Sequence, residues 1–191
     1  MNLTWEVGIG LIWGVFAVYW FLSSRGGRSR ADRRESPATR LQYLTLVLIS
    51  IVLIATDPPL LGPLLWRVWP DVVIAEVIGV AVLLVGLSLA VWARVHLGRH
   101  WSAEAVLAED HELVRTGPYR LVRNPIYLGG LIGLAGTAIA IGELRGVAAL
   151  ALLLVAVMHK IRVEETLLSE HFGAEYDEYR REVKSLIPFV Y

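Results

Sequence analysis

Five apolar runs, separated by segments that carry nearly all the charge, leave this chain few structures to adopt. They occupy residues 5–22, 41–56, 72–93, 126–142 and 146–158, and only Glu6 and Glu76 place a charge inside them. Inside a bilayer each backbone N–H and C=O must be satisfied within the protein, so runs of this length become helices. Of the 191 residues, 55% are hydrophobic and 19% charged, against about a quarter charged in a soluble domain. The expectation is an all-α integral membrane protein with about five transmembrane helices, a C-terminal helical hairpin and cytoplasmic amphipathic helices. It reads as one membrane domain over 1–191, with three spans in 1–93 and a second half in 94–191.

Orientation follows from Lys and Arg, which accumulate on the cytoplasmic side. Segments 23–40, 94–125 and the tail after span five hold sixteen of these residues, and the other two loops hold only Arg67 and Arg145. The N-terminus is therefore expected outside and the C-terminus in the cytoplasm, in a multi-pass protein of the cell (inner) membrane. Segment 1–6 has no positive charge and arginines follow the first run, so that run reads as a retained anchor and not a cleaved signal. The Arg-rich first loop is read as fixing topology, with anionic lipid headgroups as the alternative ligand. The pairs Gly10/Gly14 and Gly129/Gly133 are read as close helix packing within the chain.

Formal net charge is zero and cysteine is absent. The first points away from nucleic acid, and the second excludes disulfides, thiolate nucleophiles and Cys-ligated metals. His96 and His100 have the i,i+4 spacing of metal ligands, but Gly98 lies between them and no HExxH accompanies them, so no metal is expected. No G-x-G-x-x-G follows a strand, which leaves a Rossmann site without support.

Chemistry concentrates in two segments, 94–127 and 160–191. The second reads as two short amphipathic helices broken at Gly173, lying on the membrane or folded as a lid over an interfacial site. Glu164 and Glu165 are adjacent carboxylates at the end of span five, and their repulsion calls for compensation by Arg162, Lys160, water or a bound cation. In Gly117-Pro118-Tyr119-Arg120-Leu121-Val122-Arg123-Asn124-Pro125-Ile126-Tyr127, Pro125 suits the first turn of a helix. That helix start, Arg120 or Arg123 offers a place for a carboxylate.

These residues resemble the isoprenylcysteine carboxyl methyltransferase family, within a wider group of small membrane methyltransferases that includes phospholipid N-methyltransferases. The resemblance is carried by Leu97-Gly98-Arg99-His100-Trp101-Ser102 and by the stretch from His111 to Gly129. It continues in Arg162-Val163-Glu164-Glu165-Thr166-Leu167-Leu168 and Phe172-Gly173-Ala174-Glu175-Tyr176-Asp177-Glu178-Tyr179. It implies S-adenosylmethionine as cofactor at the cytoplasmic interface, contacted by His111, Leu113, Val114, Tyr119, Asn124, Pro125, Tyr127, Glu164 and Glu165. One departure is Arg123-Asn124-Pro125 where the family usually has Arg-His-Pro. Asn donates and accepts but does not titrate, so a structural hydrogen bond survives there and a protonation role does not.

The expected activity is methyl transfer from S-adenosylmethionine to a lipophilic small molecule, with a carboxylate of prenylcysteine type among the acceptors. Arg120 or Arg123 is expected to orient the acceptor anion, and membrane lipids are expected neighbours. A membrane sterol-type reductase using NADPH and a non-catalytic lipid-binding protein are the alternatives. The loop before span four and the tail helices are expected to meet around one enclosed pocket lined by Tyr127 and Glu165.

Overall fold

A computed structural model describes residues 3–24, 33–34, 36–56, 59–98, 106–107 and 113–187. Five long helices carry the fold: α1 (Leu3–Ser24), α2 (Pro37–Ala55), α3 (Val73–Leu97), α4 (Pro125–Ile141) and α5 (Leu144–Phe172). A short α6 (Ala174–Glu182) follows, and two 3-10 turns, Pro59–Leu65 and Gly117–Arg120, lie in the connections. The sole strand pairing among the described residues is a two-residue antiparallel ladder, β1 (Arg33–Arg34) with β2 (Val106–Leu107). Four helices are long and apolar enough to cross a bilayer, and α4 is a shorter apolar helix.

The bundle is organised around α3 and α4, which run antiparallel with their backbones in close contact. A Cβ built on Gly86 would stand 2.3 Å from Gly133 N and 2.6 Å from Gly129 O, and one on Gly79 2.6 Å from Ala140 N. Only hydrogen fits at those positions. Small residues are the usual means of helix association in lipid, where no hydrophobic force drives one helix onto another. Gly129/Gly133 thus packs within the chain as expected. Gly10 and Gly14 do not: nothing lies within 4 Å of a Cβ at either. α1 instead meets the bundle through its other face, with Ile9 against Leu83, Leu87 and Ala140 and Trp13 Nε1 donating to Thr137 Oγ1 at 3.0 Å.

At one end of the bundle Gly142 takes the left-handed conformation (φ 69°) that ends α4, and α5 turns back antiparallel. Arg145 holds this end together, donating to Thr56 O at 2.5 Å and standing 2.8 Å from Glu143 Oε2. Val68 N and Leu144 N add bonds to Gly142 O and Trp66 O at 2.8 and 3.0 Å. α2 packs along α5, while α1 lies on α3 and α4, so α1 and α2 flank the bundle from different helices. Their outward faces are apolar, as at Val15 (72% exposed) and Leu41 (67%), which suits lipid and not water.

α5 corrects one boundary. The tail was expected to begin with a separate short helix, but α5 continues unbroken from Leu144 to Phe172 over 29 residues. No Gly or Pro intervenes between Gly146 and Gly173, and Lys, Arg and Glu in that stretch are good helix formers. The break comes at Gly173, where φ is 54°. Such a helix is about 43 Å long against a hydrocarbon core of about 30 Å. Its last turns therefore project beyond the membrane and carry Glu164 and Glu165 to the boundary.

Candidate active site

The segment before α4 and the tail after α5 meet at the other end of the bundle. Gly117 (φ 59°) turns the chain tightly over His96, since a Cβ there would come within 2.6 Å of the imidazole. His96 Nε2 and Thr116 Oγ1 are hydrogen-bonded at 2.8 Å, and the His96 ring stacks on Tyr119 at 6.5 Å. The 3-10 turn buries Pro118 and Tyr119. Tyr179 of α6 donates to Tyr119 O at 2.5 Å, and Arg115 donates to Glu175 O at 2.6 Å beside the Glu175 carboxylate at 3.3 Å. Burial pushes the phenols of Tyr119, Tyr176 and Tyr179 above the ordinary tyrosine range.

Arg123 and Glu165 form the centre of this junction. Nε and Nη2 of Arg123 reach Glu165 Oε1 at 3.0 and 2.8 Å, and Nη2 also reaches Oε2 at 2.9 Å. The two side chains are 8% and 13% exposed. Nη1 of Arg123 donates to the carbonyls of Val183 and Arg180. Asn124 Nδ2 donates to Glu165 Oε1 at 3.1 Å and to Ser185 Oγ at 3.1 Å, and Ser185 Oγ donates to Glu165 Oε1 at 2.9 Å. Backbone bonds from Arg123 N to Lys184 O (2.8 Å) and Asn124 N to Ser185 O (3.0 Å) tie residues 183–187 across the start of α4 as a strap. Leu186 anchors it, buried with Leu131, Val157 and Ile161 between α4 and α5.

Glu164 is held separately. Tyr127, in the first turn of α4, donates to Glu164 Oε1 at 2.7 Å, and Lys160 Nζ stands 3.7 Å from the same oxygen. Lys160 also lies 5.7 Å from the centre of the Tyr43 ring on α2. The adjacent glutamates thus receive the compensation they require, Glu165 from Arg123 and Glu164 from Tyr127 and Lys160.

Beside Glu165 a groove of about 340 Å³ is lined by Arg162, Glu165, Thr166, Ser169, Glu170 and Arg180. That volume is at the small end of ligand pockets. Its carboxylates, guanidiniums and hydroxyls complement a ligand that carries an ammonium, a carboxylate and a ribose, so the donor set fits S-adenosylmethionine. This corrects the expected enclosed pocket lined by Tyr127 and Glu165: the groove is open and takes in Glu165, whereas Tyr127 is turned to Glu164 and neither of those two lines it.

The expected site residues fall into distinct places. Leu113 and Val114 are half-buried ahead of the 3-10 turn, and Pro125 is buried at the first position of α4. Asn124, Tyr127, Glu164 and Glu165 come together as described. Arg120 is exposed, and among the described residues nothing engages its guanidinium. His111 and His100 lie outside the described residues. No cluster of three or more potential metal-ligating His, Asp or Glu side chains occurs among the described residues. Ser185, Tyr179 and Tyr43 were not singled out from the sequence for this role. Each acts across 20 residues or more, and no local spacing announces such contacts.

The chain matches the phospholipid methyltransferase family over residues 74–175. It is 31% identical over 165 residues to a probable protein-S-isoprenylcysteine O-methyltransferase of Oryza sativa subsp. indica, covering 83% of this chain and 84% of that protein. It is 35% identical over 138 residues to a nickel-cobalt-cadmium resistance protein of Alcaligenes xylosoxydans xylosoxydans, covering 65% and 63% of the two chains. Its fold resembles a solved eukaryotic intramembrane Ras methyltransferase, an isoprenylcysteine carboxyl methyltransferase, with a TM-score of 0.56 at 23% identity. That likeness covers 83% of this chain, which spans 55% of the solved one. With the family match extending over more than half of the chain and the rice protein similar along most of both chains, the chain belongs to the isoprenylcysteine carboxyl methyltransferase family of integral-membrane methyltransferases.

Proposed function

We propose that this protein transfers the methyl group of S-adenosylmethionine to the carboxylate of a lipophilic small molecule, of prenylcysteine type, at the cytoplasmic face of the cell membrane. The observation that carries the reading is the junction of the segment before α4 with α5 and the tail, made through Asn124 and Glu165 and through Tyr127 and Glu164. Family membership favours methyl transfer over the reductase and lipid-binding alternatives. The bias of Lys and Arg toward this end of the bundle supports the cytoplasmic assignment.

Glu164, Glu165 and Glu170 supply negative charge for the cofactor's cationic groups, and Arg162 and Arg180 supply partners for its carboxylate. Leu113, Val114, Tyr119, Asn124, Pro125 and Tyr127 stand outside the groove at the same end of the bundle, where a cofactor reaching past Glu165 toward α4 would meet them. When bound, S-adenosylmethionine would supply an electrophilic methyl group on a sulfonium, with the thioether as leaving group and the acceptor oxygen as source of the electron pair. An ionised carboxylate needs no base, so the protein's task is to align and dehydrate the reactants. Tyr127 fixes the Glu164 carboxylate in one position. Arg123, fully engaged with Glu165 and the strap, closes the site, while Arg120 is left to draw an anionic acceptor to the surface by long-range attraction.

Titration of the purified protein in detergent with S-adenosylmethionine tests the reading by heat and by thermal stability. One-site binding is expected, weakened about tenfold in Glu164→Gln, the loss typical of one charge-assisted contact. Absence of both heat and thermal stabilisation at saturating cofactor would overturn it.

A further inference from the structure

Gly130 is the glycine of α4 that helix packing leaves unexplained. Gly129, Gly133 and Gly136 lie against α3, where a Cβ would meet Ala90 N at 2.6 Å, the Leu87 side chain at 3.1 Å and Leu83 N at 2.3 Å respectively. A Cβ on Gly130 would meet nothing within 4 Å, although the residue is half-buried. Glycine weakens a helix interior relative to alanine, and at this position no close backbone approach requires it.

The place of this open space on α4 gives it meaning. Tyr127, Gly130, Leu134 and Thr137 follow at i, i+3, i+7 and i+10, which makes them one stripe of the helix. The stripe begins at Tyr127, bonded to Glu164. It ends at Thr137, whose Oγ1 accepts from Trp13 Nε1 of α1 at 3.0 Å. Ile9 packs with Ala140, one turn beyond that pair, so α1 and α4 run antiparallel. Seven residues back along α4 and seven forward along α1, Gly130 and Trp20 come level, about 10 Å from the Trp13–Thr137 bond. Phe16 and Trp20, both half-buried, continue the aromatic face of α1, with ring centres 5.9 Å from Trp13 to Phe16 and 5.5 Å from Phe16 to Trp20. The two helices are therefore joined at Thr137 and leave room at Gly130, on the side that leads to Tyr127.

We propose that Gly130 is a specificity-determining residue, its missing side chain making room for the methyl branches of the acceptor's apolar chain. This rests on the carboxyl-methylation reading above. The chain lies along the stripe from Tyr127 toward Trp13, with Gly130 on one side and the rings of Phe16 and Trp20 on the other. The polar atoms at the far end, Trp13 Nε1 and Thr137 Oγ1, are already paired with each other, so the path suits a hydrocarbon and not a headgroup. A branched isoprenoid is thicker at each methyl than a straight chain, and the width at 130 separates the two. One methyl or methylene more in an apolar pocket changes discrimination about tenfold or more.

The test compares wild type, Gly130→Ala, Gly130→Val and Gly10→Ala in lipid nanodiscs. The probes are an S-prenylated thioether carboxylic acid and its unbranched S-alkyl analogue of equal chain length. KM and kcat for each acid are measured at saturating labelled cofactor, and cofactor affinity and melting temperature are followed beside them. In Gly130→Ala the KM of the prenylated acid should rise about tenfold, while that of the unbranched acid changes little. Gly130→Val should extend the loss to both acids, and Trp20→Ala added to it should recover part of the activity from across the gap. Cofactor affinity should be unaltered. The melting temperature of Gly130→Ala should be no lower than wild type, because the added methyl meets no atom there. Gly10→Ala, in open space on α1, should change neither KM. Equal changes for the two acids in Gly130→Ala, or a lowered melting temperature that accounts for the loss, would overturn the assignment. Failure of Trp20→Ala to recover any activity would overturn the pairing of α1 with Gly130. If wild type methylates neither acid, the functional reading itself falls. If it methylates both and Gly130→Val does so equally well, only the role of Gly130 falls.

Discussion

Glu165 illustrates how one side chain can hold two distant parts of a chain together. Its carboxylate takes a two-pronged contact from Arg123 and further bonds from Asn124 and Ser185. Breaking a mostly buried pair from one side leaves the other charge without compensation, at a cost of about 3–5 kcal/mol. Glu165→Gln should therefore release the strap, seen as faster hydrogen exchange in residues 183–187 and a lower melting temperature, whereas Arg120→Gln should change neither. Unaltered exchange in Glu165→Gln would mean that the strap is held elsewhere. At this scale the sequence was partly readable. The departure at Asn124 already implied that only a hydrogen-bonding role survives there, and Asn124 does donate to Glu165 and Ser185. That Arg123 would be consumed by Glu165, leaving Arg120 unengaged, was not readable, because only the fold places Arg120 exposed at the end of the 3-10 turn and ties Arg123 beside the strap.

Elements meet here mainly by backbone approach and by buried tyrosines. Gly86→Ala would place a methyl 2.3 Å from Gly133 N, and overpacking of this kind costs about 1–3 kcal/mol. It should lower the melting temperature clearly, while Gly10→Ala, with open space around it, should leave it unchanged. Equal effects would contradict the α3–α4 seam. The Gly-rich pattern of α4 signalled that seam in advance, but the same pattern in α1 did not predict its exposure, since a glycine pair carries no record of its partner. The unbroken α5 was likewise hidden, because a shift from apolar to charged residues resembles a helix end while only Gly173 supplies one. Tyr119, Tyr176 and Tyr179 titrate above their usual range because burial disfavours the phenolate. A raised native pKa gives stability that is full below the unfolded value of about 10 and lost as pH climbs through the native one. The melting temperature should therefore fall only above about pH 10. Tyr179→Phe should soften that fall while costing about 1 kcal/mol for its lost bond to Tyr119, and an unchanged alkaline slope would sink the assignment.

The whole molecule is a membrane bundle with two different ends. One is closed by Arg145 and Glu143, and the other carries the proposed methyl-transfer site. The apolar runs and the segregation of Lys and Arg made this division visible from the sequence, whereas the placement of α1 and α2 on different helices depends on tertiary contacts that no run encodes. Because the chain has no cysteine, single cysteines report its orientation cleanly. An impermeant thiol reagent should label Leu60→Cys on intact cells and Glu182→Cys only after permeabilisation, and the reverse pattern would invert the proposed topology. The most direct measurement of all is to incubate the purified protein and a native lipid extract with methyl-labelled S-adenosylmethionine and identify the product. A labelled methyl ester of a lipophilic acid should form, releasing labelled methanol in mild alkali, and Glu164→Gln should slow its formation about tenfold at subsaturating cofactor. Label confined to an alkali-stable amine or thioether, or no label above a protein-free control, would contradict carboxyl methylation at the junction of α4, α5 and the strap.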